Sequence, residues 1–243
     1  LRFCREVTME VNPGTEMAGH LADYRAIGIT RVSIGVQSFN ERHLKKLGRI
    51  HDAKAAFRAI EAAHDAGLNS FNIDLMHGLP DQSAEEALAD LHTAISLNPP
   101  HLSWYQLTLE PNTPFAAHPP VLPDDETMDR MQAQGLAALH EAGLIQYEVS
   151  AYAQENHQCQ HNRNYWEFGD YLGIGAGAHG KITLAAENRI ERRERLRHPN
   201  EYLTKAGTEQ AISAHSIPTD ELPFEFMLNA LRLTDGFEVP LFT

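Results

Sequence analysis

Cysteine is scarce. Cys4 and Cys159 are the two in 243 residues, too few for a disulfide framework and suited to a reducing, cytoplasmic compartment. Basic residues are also few: 20 Lys and Arg stand against 33 Asp and Glu, a formal charge of -13. That balance argues against nucleic acid as the main partner, because neutralising phosphates takes basic surface. Arg189, Arg192, Arg193, Arg195 and Arg197 form the one arginine-rich stretch. Acids interrupt it, and it reads as a solvated face. No apolar run approaches about 18 residues, so no transmembrane segment is expected. A signal-peptide pattern is missing as well. The chain opens at Leu1 in the approach to a strand and closes just after a helix, and it reads as a fragment cut at both ends.

What is present is a chain 42% hydrophobic, enough for one large domain with or without a small appendage. A repeating grammar runs through it. Helices end alike at Ala26-Ile27-Gly28, Asp65-Ala66-Gly67 and Glu141-Ala142-Gly143, where each glycine suits a left-handed cap. A fourth stops at Asn98-Pro99-Pro100, because proline cannot continue a helix. Ser83-x-x-Glu86 is a capping box, and Thr15, Asn40, Asp52 and Asp124 are candidate N-caps. Short Val/Ile/Phe/Tyr-rich strands lie between, at 7–11, 31–36, 70–76, 102–109 and 146–150. Strands alternating with helices predict an α/β fold with a parallel sheet. Periodicity alone leaves open whether that sheet closes.

Polar residues gather where these strands end: Glu10 and Asn12, Gln37 and Ser38, Asp74, Glu110 and Asn112, Glu148 and Ser150. In parallel α/β folds that edge carries the active site. One such end is an ordinary turn; five in succession predict a ligand-lined face. Arg49 adds a planar fork suited to a carboxylate. Glu10 suits an ammonium group, Gln37 offers an amide, and Asp74 is placed to take ribose hydroxyls. The set would suit an amino acid joined to a nucleoside.

A second cluster lies at His161-Asn162-Arg163-Asn164-Tyr165-Trp166, followed by the glycine-rich Gly173–Gly180. A histidine, amides and large aromatics beside close backbone suit a flat, partly apolar ligand with a metal or polar edge. The ordinary alternatives are a histidine satisfied by Asn162, aromatics that are simply core, and glycines that serve backbone packing. Cys159 reads as a buried thiol rather than an axial thiolate, and His179 as structural. His51, His77 and His101 lie near strand ends and are placed to face a cavity.

Several segments together resemble one family. They are Glu10-Val-Asn-Pro-Gly-Thr15, Ser33-Ile-Gly-Val-Gln-Ser-Phe39, Leu47-Gly-Arg-Ile-His51, Asn72-Ile-Asp-Leu-Met-His-Gly-Leu-Pro80, Leu102-Ser-Trp-Tyr-Gln-Leu107, Glu110-Pro-Asn-Thr113 and His161-Asn-x-x-Tyr-Trp166. The family is the radical S-adenosylmethionine (SAM) group around oxygen-independent coproporphyrinogen III oxidase, and the last signature resembles its haem-chaperone branch. The likeness runs from about Glu6 to Lys181.

It implies a partial (β/α)₆ barrel with its first strands missing, over residues 1–180. A linker and the start of a small, mainly helical C-terminal domain would follow over 181–243. By the same resemblance Glu10, Gln37, Arg49 and Asp74 contact SAM, while His161, Asn162, Tyr165 and Trp166 handle haem. The partners implied are haem and a haem-acceptor protein. The alternative activity is radical decarboxylation of coproporphyrinogen III propionates. The family's [4Fe-4S] cluster sits on a Cys-x3-Cys-x2-Cys loop that this sequence lacks. The chain as it stands is therefore not expected to cleave SAM.

Overall fold

The structure, a computed structural model, describes residues 4–14 and 20–242; the candidate cap Thr15 lies outside them. The chain divides into two compact units, one up to Gln158 and one from Cys159 on. That division falls upstream of the boundary expected near residue 180.

In the first unit the described residues form β1 (Thr8–Val11), α1 (Leu21–Ala26), β2 (Arg31–Gln37), α2 (Glu41–Lys46) and α3 (Ala53–Asp65). These are followed by β3 (Ser70–His77), α4 (Ala84–Ser96), β4 (His101–Gln106), α5 (Pro114–Ala117), α6 (Asp125–Glu141), β5 (Ile145–Glu148) and β6 (Ala151–Ala153). The six-stranded sheet runs β1-β2-β3-β4-β6-β5, and its first four strands pair in parallel. This is the expected α/β class with a mostly parallel sheet.

The caps act as the sequence foretold. Asn40, Asp52 and Asp124 accept N–H bonds at their helix starts, and Ser83 with Glu86 forms the capping box. Gly28, Gly67 and Gly143 stand at φ of 111°, 63° and 75°, the left-handed region that needs no Cβ.

Burying one face of the sheet against helices supplies the core. Val32, Ile34 and Val36 of β2, Phe71, Ile73 and Leu75 of β3, and Leu102 and Trp104 of β4 join Ala56, Ile60, Leu91 and Leu139 of the helices. The odd partners of that alternation point the other way and are mostly polar.

The last strand departs from expectation. The chain doubles back at Glu148–Ser150, and β6 pairs antiparallel with both β4 and β5, separating them. The Glu148 carboxylate accepts the Ser150 N–H at 3.1 Å and its hydroxyl at 3.2 Å. This polar strand end is thus a hairpin turn.

The second unit contains α7 (Gln160–Trp166), β7 (His179–Leu184), β8 (Arg189–Arg195), α8 (Pro199–Lys205), β9 (Ile212–Ser216) and α9 (Leu222–Ala230). The region expected to be mainly helical carries a three-stranded antiparallel sheet, β7-β8-β9. Its central strand is the arginine-rich stretch. Arg189 and Arg193 pair with Glu191, Arg189 also with Glu187, and Arg192 with Glu225. These pairs run along β8 and from β8 to α9, and the arginine side chains stay a quarter to a third exposed. On α9, Phe226 is buried and Phe224 and Leu228 are exposed.

Candidate functional site

The polar face of the first unit's sheet is built by register. Glu10, Ser33, Asn72 and His101 stand in line across β1 to β4, and Asp74 pairs with Ser103 two residues on. The side chains of Ser33, Asn72, Asp74, His101 and Ser103 form one network. Ser33 Oγ donates to Asp74 Oδ2 at 2.9 Å, and Asn72 Nδ2 donates to Asp74 Oδ1 at 2.7 Å. Ser103 Oγ donates to Asn72 Oδ1 at 3.1 Å. His101 joins through contacts of 2.7 Å to Asn72 Oδ1 and 2.8 Å to the Tyr147 hydroxyl. Burial pushes the Asp74 carboxyl above its ordinary range, and the bonds from Ser33, Asn72 and Ser103 pull against that shift.

Of the four expected SAM residues, Gln37 is bonded to Tyr105 of β4. The Tyr105 hydroxyl donates to Gln37 Oε1 at 2.6 Å. Burial first, then the Asp74 charge, pushes the phenol up to about 12; Arg49 and the Gln37 bond act in the opposite sense, and Glu10 adds to the rise. Arg49 reaches the sheet itself, its Nη1 donating to Asn12 Oδ1 at 3.3 Å.

Gln37 is unusual. It ends β2 at φ 68°, just past a register shift between Ile34 and Gln37, and it is buried. A left-handed non-glycine residue at a strand end costs free energy, and such positions cluster at functional sites. Gly35 makes the room: a Cβ there would stand 3.0 Å from Gln37 Nε2 and 3.2 Å from Asn12 Oδ1.

The strand-end reading missed Asn12's partner role, Ser33, Asn72, Ser103, Tyr105 and Tyr147. The strict polar–apolar alternation of residues 31–37, 70–75 and 101–105 was the available signal. Of the three histidines placed near strand ends, only His101 belongs to this face. His51 is buried against Val36 O at 3.1 Å, and His77 packs on Trp104 with ring centres 4.3 Å apart.

In the second unit, His161, Asn162, Tyr165 and Trp166 all lie on α7. Position i and i+4 bring His161 and Tyr165 together, rings edge-to-face at 6.1 Å. His161 Nδ1 lies 3.2 Å from the sulfur of Cys159, so Cys159 rather than Asn162 is its neighbour. Tyr165 continues edge-to-face onto Tyr171 at 4.8 Å. Arg232 covers the Trp166 ring at 4.2 Å.

The glycine run performs close backbone packing. Tyr171 and Lys181 exchange both backbone bonds, at 2.9 and 3.0 Å, across it. The space a Gly173 Cβ would need holds the His179 carbonyl at 2.2 Å. His179 itself is exposed and 4.0 Å from Glu194. The run thereby returns Lys181 to the side of α7. Tyr165, Trp166, Tyr171, Lys181 and Arg192 line a cavity of about 240 Å³. His161 and Asn162 are outside its lining.

Residues 4–91 match the Radical SAM superfamily. The chain is 55% identical over 231 residues to "Heme chaperone HemW" of Escherichia coli and 51% identical over 231 residues to that of Haemophilus influenzae. These alignments cover 95% of this chain and 60% and 59% of the relatives. The match and these relatives liken the chain to the radical SAM superfamily. It spans about 60% of the length of those relatives.

A zebrafish protein, "Radical S-adenosyl methionine domain-containing protein 1, mitochondrial", is 33% identical over 242 residues, covering 95% of this chain and 54% of its own. Among solved structures, coproporphyrinogen III oxidase of E. coli superposes with a TM-score of 0.77 at 22% identity. It covers 94% of this chain and 55% of that one; the likeness is one of fold.

Radical SAM proteins use SAM with a [4Fe-4S] cluster. The donor set of Glu10, Gln37, Arg49 and Asp74 fits SAM: carboxylates for an ammonium and hydroxyls, a guanidinium for a carboxylate, an amide for the remainder. The cluster does not fit the cysteines of this sequence, since Cys4 is exposed and Cys159 is a single buried thiol. No helix among the described residues is long and apolar enough to cross a membrane.

Proposed function

We propose that this chain is part of a haem chaperone, which binds haem through its second unit and passes it to an acceptor protein. SAM is held on the polar face of the first unit by Glu10, Gln37, Arg49 and Asp74. The observation that carries the reading is the helix Gln160–Trp166, which carries His161 one turn before Tyr165 and Trp166, and the latter two line a cavity. A neutral imidazole is a ligand for haem iron, and aromatic rings cover a macrocycle. The names of the relatives point the same way.

In this reading Glu10 meets the SAM ammonium, Arg49 its carboxylate and Asp74 the ribose hydroxyls. The [4Fe-4S] cluster of the parent protein takes its ligands from cysteines other than Cys4 and Cys159. The protein works in the cytoplasm, where thiols stay reduced and haem needs an escort.

Anaerobic haem titration of the full-length protein tests this, paired with a turnover assay on coproporphyrinogen III using the same reconstituted sample. Stoichiometric haem uptake without decarboxylated product is the expected result. Decarboxylated product without a stable haem complex would overturn the reading in favour of the oxidase.

A further inference from the structure

The cavity beside α7 gathers several hydrogen-bond donors. Lys181 is 2% exposed and its ammonium carries three protons. One goes to Asp170 Oδ1 at 3.1 Å, while the charge also sits 4.1 Å from the centre of the Phe168 ring. Asp170 is shared, accepting the Thr183 N–H and hydroxyl at 2.8 Å each. Arg192 donates from Nη1 to the Tyr171 hydroxyl at 3.0 Å and from Nη2 to Glu225. The Tyr171 oxygen thus accepts a bond and retains its own proton to give. The Trp166 indole N–H is buried with no acceptor among the described residues.

These four residues line one space of about 240 Å³. Two cations, a phenol and an indole N–H converge where a buried donor without a partner costs free energy. An anion with two oxygens relieves that cost, and aromatic walls of Tyr165 and Trp166 suit an apolar stem leading to it. The volume suits a carboxylate arm and is too small for a whole macrocycle, which agrees with His161 standing outside the lining but in contact with Tyr165.

We propose that this cavity is a carboxylate-arm site, and that Lys181, Arg192, Tyr171 and Trp166 receive a propionate of the bound haem. The proposal rests on the haem reading above and adds an anchor separate from the iron ligand. The site reads the side arm, whereas His161 would read the metal.

The test compares haem with its dimethyl ester, in the same detergent, on the full-length protein. Esterification removes the negative charge and leaves the iron and macrocycle unchanged. Binding is expected to weaken about ten- to a hundredfold, the worth of charge-assisted hydrogen bonds. In Arg192→Gln, and more gently in Tyr171→Phe, haem affinity should fall toward that of the ester, so that the gap between the two narrows. Tyr171→Phe keeps the ring packing and serves if loss of the Glu225 pair unfolds Arg192→Gln. Equal affinity of wild type for acid and ester would overturn the site. So would an acid–ester gap left undiminished in both variants, which would place the propionates elsewhere. Failure of the wild type to bind haem in any form would instead remove the chaperone reading itself.

Discussion

The Tyr105 hydroxyl donates to Gln37 Oε1 at 2.6 Å across two strands, while Gln37 holds a left-handed backbone at φ 68°. The bond fixes which way the amide faces, leaving Nε2 toward the space that Gly35 keeps clear. Removing the hydroxyl in Tyr105→Phe frees the amide to rotate. SAM affinity of the reconstituted full-length protein should drop about fivefold, the worth of one neutral hydrogen bond near 1 kcal/mol. Calorimetry checks it, and an unchanged Kd would separate Tyr105 from the binding face.

Arg49→Ala should weaken SAM binding about tenfold or more with little change in melting temperature. Arg49 is half-buried, and its guanidinium donates over 3.3 Å to Asn12, so the fold relies on it little. The guanidinium fork and its charge disappear together. Thermal melts alongside calorimetry distinguish a lost ligand contact from a lost fold.

His161→Ala should abolish or shift the Soret band of bound haem. Its ring meets Cys159 and Tyr165, and far-UV circular dichroism of the variant checks that α7 still forms. An identical spectrum and affinity would assign the iron to another residue.

Asp90 predicts a pH dependence of stability. It is buried on α4, where it accepts the Ser38 hydroxyl at 2.5 Å and the Phe39 N–H at 2.8 Å. Burial raises its carboxyl from 3.8 to about 6. The folded protein keeps this proton up to about pH 6, while the unfolded chain releases it near 3.8. Its contribution to stability is therefore complete below pH 3.8 and is lost as pH rises through 6. Denaturant titrations between those limits should show a component of about 1–3 kcal/mol that is missing from Asp90→Asn.

Gly135→Ala should destabilise the first unit by about 1–3 kcal/mol. Gly135 is buried on α6, and a Cβ there would stand 2.0 Å from the Trp104 ring. Trp104 is 2% exposed and has nowhere to move. A melting temperature within error of wild type would mean that β4 and α6 can part.

Local signals carried most of the first unit. Capping residues, glycine stops and apolar runs are read within a few positions, and Asn40, Asp52, Ser83 and Asp124 cap the helices they were expected to cap. The hairpin at Glu148–Ser150 escaped because a polar residue after a strand looks alike in a turn and in a ligand site. The β7-β8-β9 sheet escaped for a related reason. Its central strand alternates arginine with glutamate, and nothing within Arg189–Arg195 announces that Glu225 of α9 will pair with Arg192.

The sequence by itself determined the α/β class, the family likeness and which residues are candidates to meet SAM and haem, because residue types and short spacings encode propensity and chemistry. Only the tertiary structure decided which of them meet. Strand register aligned Glu10, Ser33, Asn72 and His101, and a bulge turned Gln37 onto Tyr105. A glycine-packed return brought Lys181 beside Tyr165 and Trp166. Register and chain return depend on contacts between residues far apart in sequence, whose pairing no local pattern records.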